Sequence, residues 1–390
     1  MIQSLCKDPF RLFFPVALFC LFYASGLWTA YGLFELGDFP VQEHANLFLG
    51  GFLSFSILGF LLTAIPRFTS TDFLSFKGLI CLSSIILATL IFYFLDNQVL
   101  FWLSISCGWI CLFIFGIKRF LRKKQNPPFT FIFVGLGLIF GFTGSLMNLL
   151  VSFSYETFES LEVWGKLFFY DGMVTAFILG VGGRLIPGIL GFSEIVQSQR
   201  KVYEESRPFF SIIPKDIICS LLFFVTSFIL EGIGFTHEGF FLRAIVITYF
   251  SFRYWRIHEK IKTGKWHGRM LKVSCVFLFI TSWLLCFFIE DSLHIKHLIY
   301  IGTYCLMTLM VASRVIIAHG NESLDIEHKK NPYLLVGSLV VLAALTRASA
   351  HLIPNSYIAH LGYAGLVLLS ATLIWSFVFL KRCVSPSSNF

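Results

Sequence analysis

Twelve apolar stretches, each close to the length of one bilayer crossing and separated by short polar connections, limit this chain more than any other feature. They run roughly over 12–33, 46–66, 76–95, 99–117, 129–152, 164–187, 216–234, 239–256, 271–289, 297–318, 331–352 and 360–380. About 20 apolar residues carry a helix across the hydrocarbon core. Only helices and closed barrels satisfy their backbone polar groups there. Stretches of this length predict an all-α fold, a polytopic integral membrane bundle of about twelve transmembrane helices. No connection is long enough to form a soluble domain, so residues 1–390 are expected to be a single transmembrane domain. Charged residues make up 13% of the chain, about half the share usual in soluble proteins. Lys7, Asp8 and Arg11 lead straight into the first stretch without a small-x-small cleavage site, so that stretch is expected to remain as a helix.

The basic residues predict an orientation. With the N-terminus inside, the inner connections take Lys7, Arg11, Arg67, Lys77, the run from Lys118 to Lys124, Arg200, Lys201, Arg207 and Lys215. They also take the cluster from Arg253 to Lys272, then Lys329, Lys330, Lys381 and Arg382. Adding Arg184 and Arg314 near inner helix ends places 26 of the 30 Lys and Arg on one side. Only Lys166, Arg243, Lys296 and Arg347 fall on the other. This bias is the positive-inside pattern, with both termini in the cytoplasm. The basic connections face anionic headgroups of the lipid bilayer, and no interleaving with aromatics suggests nucleic acid.

Histidines gather at the outer helix ends. His44 opens the second stretch and His297 the tenth, His351 closes the eleventh and His360 opens the twelfth, with His237 and His294 in outer loops. Neutral imidazole is a usual ligand of haem iron and of copper, and bundles build cofactor sites from facing helices. Interfacial histidines bonded to water or backbone are the plainer alternative. Arg347, one turn before His351, suits a haem propionate or snorkels to the headgroups. An inner layer holds Pro66-Arg67, Gly182-Gly183-Arg184 and Arg314 with His319. These arginines serve either as anion partners or as topology anchors. Most of the ten cysteines lie inside stretches and act as small hydrophobes. Cys107 and Cys111 stand one turn apart, and no CxxC or CxxCH occurs.

Several runs resemble one family, in order along nearly the whole chain. They are Pro9-Phe10-Arg11-Leu12-Phe13-Phe14-Pro15, Gly59-Phe60-Leu61-Leu62-Thr63-Ala64-Ile65-Pro66-Arg67, and Gly182-Gly183-Arg184-Leu185-Ile186-Pro187. Two more are His297-Leu298 with Gly302, Met307, Arg314 and His319-Gly320, and Ala343-Ala344-Leu345-Thr346-Arg347-Ala348. They look like NnrS, a family of bacterial inner-membrane proteins that bind haem and copper and act in the response to nitric oxide. The resemblance implies a cofactor site drawn from His44, His297, His319, His351, Arg184, Arg314 and Arg347. Metal ligands would come from His44, His297 and His319. It also implies nitric oxide as ligand, relief of nitrosative stress, and a redox partner that the sequence does not name. The family's His-x-His-Glu before the GFLLTA run appears here as His44 followed by Asn46 and Leu47. Leu278 stands where relatives often carry a further histidine.

No carboxylate pair, nucleophile–base pair, Walker motif or Rossmann fingerprint occurs, which argues against hydrolase, kinase and nicotinamide chemistry. Binding and turnover of nitric oxide stay open as alternatives. A second class, the twelve-helix secondary transporter, shares this topology. The two halves show no matching pattern, and Asp171 is the nearest thing to a carboxylate deep in a stretch.

Overall fold

The computed structural model describes residues 2–153, 159–204, 208–320 and 324–384; Arg207, Asn321 and Glu322 lie outside the described residues. Within them the chain is all-α, with no strand. Twelve long helices follow one another: α1 (Phe10–Phe34), α2 (Val41–Thr69), α3 (Phe76–Phe94), α4 (Gln98–Leu121), α5 (Phe131–Phe153), α6 (Glu159–Leu190), α7 (Lys215–Gly232), α8 (Thr236–Arg253), α9 (Trp266–Phe287), α10 (Ser292–His319), α11 (Lys330–Leu352) and α12 (Pro354–Val384). Several begin before their apolar stretch does. α2 starts at Val41 and α10 at Ser292, so His44 and His297 sit inside a first turn or two rather than ahead of the helix.

Ten of the twelve are long and apolar enough to cross a membrane. The two outside that set, α7 and α8, each carry three charged residues: Lys215, Asp216 and Glu231 on one, Glu238, Arg243 and Arg253 on the other. The burden is lighter than the count suggests. Arg243 ion-pairs with Glu231 across the hairpin, and both side chains are buried. Tyr249 donates to Asp216 in the same pair of helices.

Outward faces are apolar. Ile80, Leu87, Ile114, Leu222, Leu342 and Phe377 are all exposed. A soluble monomer does not expose apolar surface on this scale, whereas hydrocarbon accepts it without cost. The molecule is a multi-pass membrane protein.

Three helices differ from the rest. In α2, α6 and α10, 89, 83 and 78% of the apolar window is buried, against 22–56% in the other seven candidate spans. These three also contain the π-helical segments Asn46–Leu53, Leu167–Gly172 and Leu298–Cys305. A π turn holds one residue more than an α turn, which re-aims the following side chains by about 100°, and such turns are frequent at functional sites. Each segment also carries a glycine pressed against a neighbouring helix. A Cβ would meet Cys20 at Gly51, Phe140 at Gly172 and Phe277 at Gly302, all within 2.5–2.8 Å. In the first segment the Ser54 hydroxyl donates to the carbonyl of Leu49, five residues back, satisfying an acceptor that the widened turn releases. The device recurs every fourth helix, a period that a comparison of two halves does not detect.

The chain divides into two compact units. One comprises residues 1–9, 61–188 and 192–255, and the other residues 10–60, 189–191 and 256–390. In the first, α3 and α4 are joined by a turn in which Asp96 has φ +50°. The Asn97 side chain then caps α4 by accepting from the Leu100 N–H at 3.0 Å. In the second, α1 packs along α12 and along the π segment of α2, while α9 and α11 pack on the π segment of α10.

Candidate functional site

His44, His294, His297, His351 and Arg347 come together in the second unit. Arg347 is buried on α11. Its guanidinium donates to His294 Nδ1 at 3.1 Å and is hydrogen-bonded to Tyr357. The His294 ring stacks on His351, with centroids 4.3 Å apart. His351 Nε2 lies 3.6 Å from Asp291 Oδ1. Arg347, His44 and His294 all lie within electrostatic reach of His297.

Hydrogen bonds set the tautomers. A carbonyl oxygen only accepts, so a ring nitrogen beside one must carry the proton. His44 Nδ1 donates to the carbonyl of Ala24 on α1 at 3.0 Å. His297 Nδ1 donates to that of Leu293 at 2.8 Å, and His351 Nδ1 to that of Ala348 at 2.8 Å. In the neutral rings of His44 and His297 the Nε2 then holds a lone pair, whereas the His351 Nε2 faces the Asp291 carboxylate, with which it pairs when protonated. A donated Nδ1–H of this kind is the support that metal-ligating imidazoles ordinarily have. Arginine only donates, so His294 has the opposite tautomer and its Nδ1 is spent on Arg347.

His44 is further held by Trp28, edge-on at 6.0 Å, and by Phe48, stacked at 6.0 Å. It stands two residues before one π segment, and His297 immediately before another. Backbone geometry and ligand-ready nitrogen therefore coincide on two different helices.

His319 is not part of this group. It lies 22 residues along α10 from His297, about 33 Å at 1.5 Å per residue, so the two cannot share one metal. Its ring meets Phe10 edge-on at 5.6 Å, and its carbonyl accepts from Arg11 Nη2 at 2.9 Å. Arg11 also donates to the Cys383 carbonyl at 3.1 Å, so the N-terminal motif fastens the ends of α10 and α12. Arg314 finds its anion in Glu327. Glu327 is buried and takes Arg314 Nη1 on one oxygen at 2.5 Å and Lys265 Nζ on the other at 2.6 Å. Arg184 lies in the first unit, half-buried on α6. The glycine pair before it has a packing explanation, because a Cβ on Gly183 would meet Thr130 at 2.6 Å. The Gly183 carbonyl accepts from Gln199 at 3.0 Å.

The positions that depart from the family pattern are filled by packing. Leu47 and Leu278 are buried, and buried Asn46 accepts from Gln42 Nε2 at 2.9 Å. Cys111 hydrogen-bonds to Cys81 of α3, so the Cys107–Cys111 spacing is not an isolated pair of thiols.

The sequence places His294 in a loop, and the structure adds His267. The signal for His294 was its spacing from His297, three residues apart and so on one helix face. His267 is fully buried on α9. Its Nε2 donates to the Met310 carbonyl at 2.8 Å and its Nδ1 accepts no hydrogen bond. No sequence signal marks it out from the basic connection in which it sits.

The donors can be matched to cofactors. Haem iron takes four donors from its own macrocycle and needs one or two axial ligands from protein. The Nε2 atoms of His44 and His297 are donors of that kind, and Arg347 is a cation within electrostatic reach of both. Copper held by protein side chains needs a larger set, and among the described residues no three His, Cys, Asp or Glu are grouped to hold a metal ion. The two imidazoles offer the kind of donor that haem iron takes. In comparison with known proteins, the model of one family, described as NnrS protein, matches residues 4–387. No curated protein matches the chain.

Proposed function

Since the chain belongs to the NnrS family, we propose that it is a haem-binding protein of the bacterial cytoplasmic membrane that binds or helps remove nitric oxide and so relieves nitrosative stress. One observation carries this reading. His44 and His297, each at the mouth of a π segment, have their Nδ1–H groups donated to backbone carbonyls and lie in electrostatic reach of one another and of Arg347.

His44 or His297 would hold a haem through Nε2, and the haem would supply an iron able to bind nitric oxide. The protein's own groups do the rest. The carbonyls of Ala24 and Leu293 fix the ring orientations and raise the basicity of the Nε2 atoms. Trp28 and Phe48 exclude water around His44. Arg347, steadied by His294 and Tyr357, places a fixed positive charge where a carboxylate of the cofactor or a developing anion would sit. We read α7 and α8 as crossing the membrane too, their buried charges being paired, which gives twelve spans with both termini inside. The charge bias of the connections supports that orientation.

The test is an optical spectrum of the detergent-purified protein, oxidised, dithionite-reduced and then exposed to nitric oxide. A Soret band that shifts on reduction and again with nitric oxide is expected. A protein that stays colourless after haem reconstitution overturns the reading and favours a transporter.

A further inference from the structure

A groove of about 540 Å³ runs along one face of α9 in the second unit. Its walls are Val273, Val276, Ile280 and Leu284 on α9, with Leu298 and Leu345 across from them. The α9 residues recur at helical spacing, and the stripe from Arg269 to Leu284 rises about 22 Å at 1.5 Å per residue. That exceeds half of the ~30 Å hydrocarbon thickness, the depth of one leaflet. The floor is low because Phe277 packs against Gly302, where a Cβ would come within 2.5 Å of its ring.

One end of the groove is charged and the other is not. Arg269 and Lys272 line it at the start of α9. Between residues 256 and 272 there are six Lys and Arg and a single acid, Glu259. Arg256 pairs with Glu259 at 3.2 Å and Lys265 with Glu327 at 2.6 Å, so the available carboxylates are taken. The charges of Arg269 and Lys272 are met instead by the face of Trp266 at 4.3 Å and by the backbone carbonyl of Glu259 at 2.7 Å. Trp266 itself stands where an indole marks the membrane–water boundary.

We propose that this groove binds one anionic phospholipid, its phosphate between Arg269 and Lys272 and an acyl chain laid along α9 toward Leu284. The two cations select this occupant. A neighbouring apolar helix would gain nothing from them, and a zwitterionic headgroup would bring its own positive charge against them. Basic pockets between membrane helices hold anionic headgroups on the same physical ground. The inference does not depend on haem, because it uses none of the histidines.

Native mass spectrometry of the full-length protein in detergent, with dioleoylphosphatidylglycerol and dioleoylphosphatidylcholine as probes, tests it. One phosphatidylglycerol per chain should be retained while phosphatidylcholine exchanges away. Each basic group near a lipid surface is worth about fivefold in affinity, so the double variant Arg269→Gln/Lys272→Gln should bind phosphatidylglycerol about thirtyfold more weakly. Leu345→Trp keeps both charges but fills the groove. It should also lower retention, and it carries the test if the double variant fails to fold. Equal retention of both lipids, or unchanged phosphatidylglycerol binding in both variants, would overturn the proposal. So would a dimer that Leu345→Trp dissociates regardless of lipid, which would assign the face to a second copy of the chain.

Discussion

α6 and α10 share a backbone device and differ in what they mount on it. Both are buried helices with a π segment near the start, opened by Leu167 in one and Leu298 in the other. The residue just before is Lys166 in α6 and His297 in α10. Lys166 is half exposed and pairs with Glu162 one turn earlier at 2.5 Å, a surface ion pair worth little. His297 instead donates Nδ1–H to its own helix and keeps Nε2 as a lone-pair donor. α2 follows α10, with His44 beside its π segment. A π turn is therefore no cofactor site by itself. The turn re-aims a face of the helix, and the residue at its mouth decides what that face can bind.

The sharpest way to break this comparison is to remove the imidazoles. His297→Ala and His44→Ala should each abolish or strongly weaken the Soret band, while Lys166→Ala leaves it unchanged. The measurement is haem content per protein after purification, alongside helix content by far-UV circular dichroism. Loss of haem in Lys166→Ala to the same degree would mean that the π segments matter structurally and that the histidines carry no special role.

Arg347 should matter less than His44 and His297 and more than any other residue in the cluster. Arg347→Met removes the donor to His294 and Tyr357. A hydrogen bond involving a charged group contributes about 1.5–3 kcal/mol, so thermal stability should fall by that order. The Soret band should persist with a shifted reduction potential. A potential identical to that of the unaltered protein would show that the guanidinium lies too far from the haem to act on it.

Much of this architecture can be read from the sequence, for physical reasons. Hydrocarbon imposes a length of about 20 apolar residues on each helix, and that signal survives any detail of packing. The weak points were also physical. The stretches 216–234 and 239–256 read as spans from their apolar content, whereas α7 and α8 fall outside the ten candidate spans. Glu231 and Arg243, two of their charges, pair across the hairpin, a contact that a one-dimensional profile cannot see. The π segments leave no trace in hydropathy, since one extra residue per turn changes no composition. The histidines at the ends of the stretches are visible as a layer because depth follows from position along a span. Their partners are not, because Arg347 reaches His294 across 53 residues of sequence. His319 shows what position along a span does give: it ends the stretch that His297 opens, and α10 carries the two at opposite ends.

Glu327 tests the connection between α10 and α11. Burial pushes its carboxyl up, but the hydrogen bonds from Lys265 and Arg314 outweigh this and hold it below the ordinary glutamate range. A depressed carboxyl contributes stability that is complete above the unfolded value, about 4.3. That contribution is lost as pH falls through the lower folded value. Glu327→Gln should cost about 1–3 kcal/mol at neutral pH, below the range for a wholly buried pair because both cations are partly exposed. The difference in melting temperature from the unaltered protein should shrink as pH drops below about 4.3. A gap that stays constant down to acid pH would mean that Gln disturbs packing rather than charge.

The smallest effect is expected in α6. Asp171 is buried within the π segment Leu167–Gly172, the place where a transporter would keep a proton-coupled carboxylate. If the histidine-bearing π segments alone hold the cofactor, Asp171→Asn should leave haem content, the reduced spectrum and the nitric oxide complex unchanged. It is nearly isosteric, so packing is preserved and only the charge is altered. A changed spectrum would bring α6 into the cofactor site after all. An unchanged spectrum together with loss of solute uptake in vesicles would mean that the same backbone device serves two purposes in one chain.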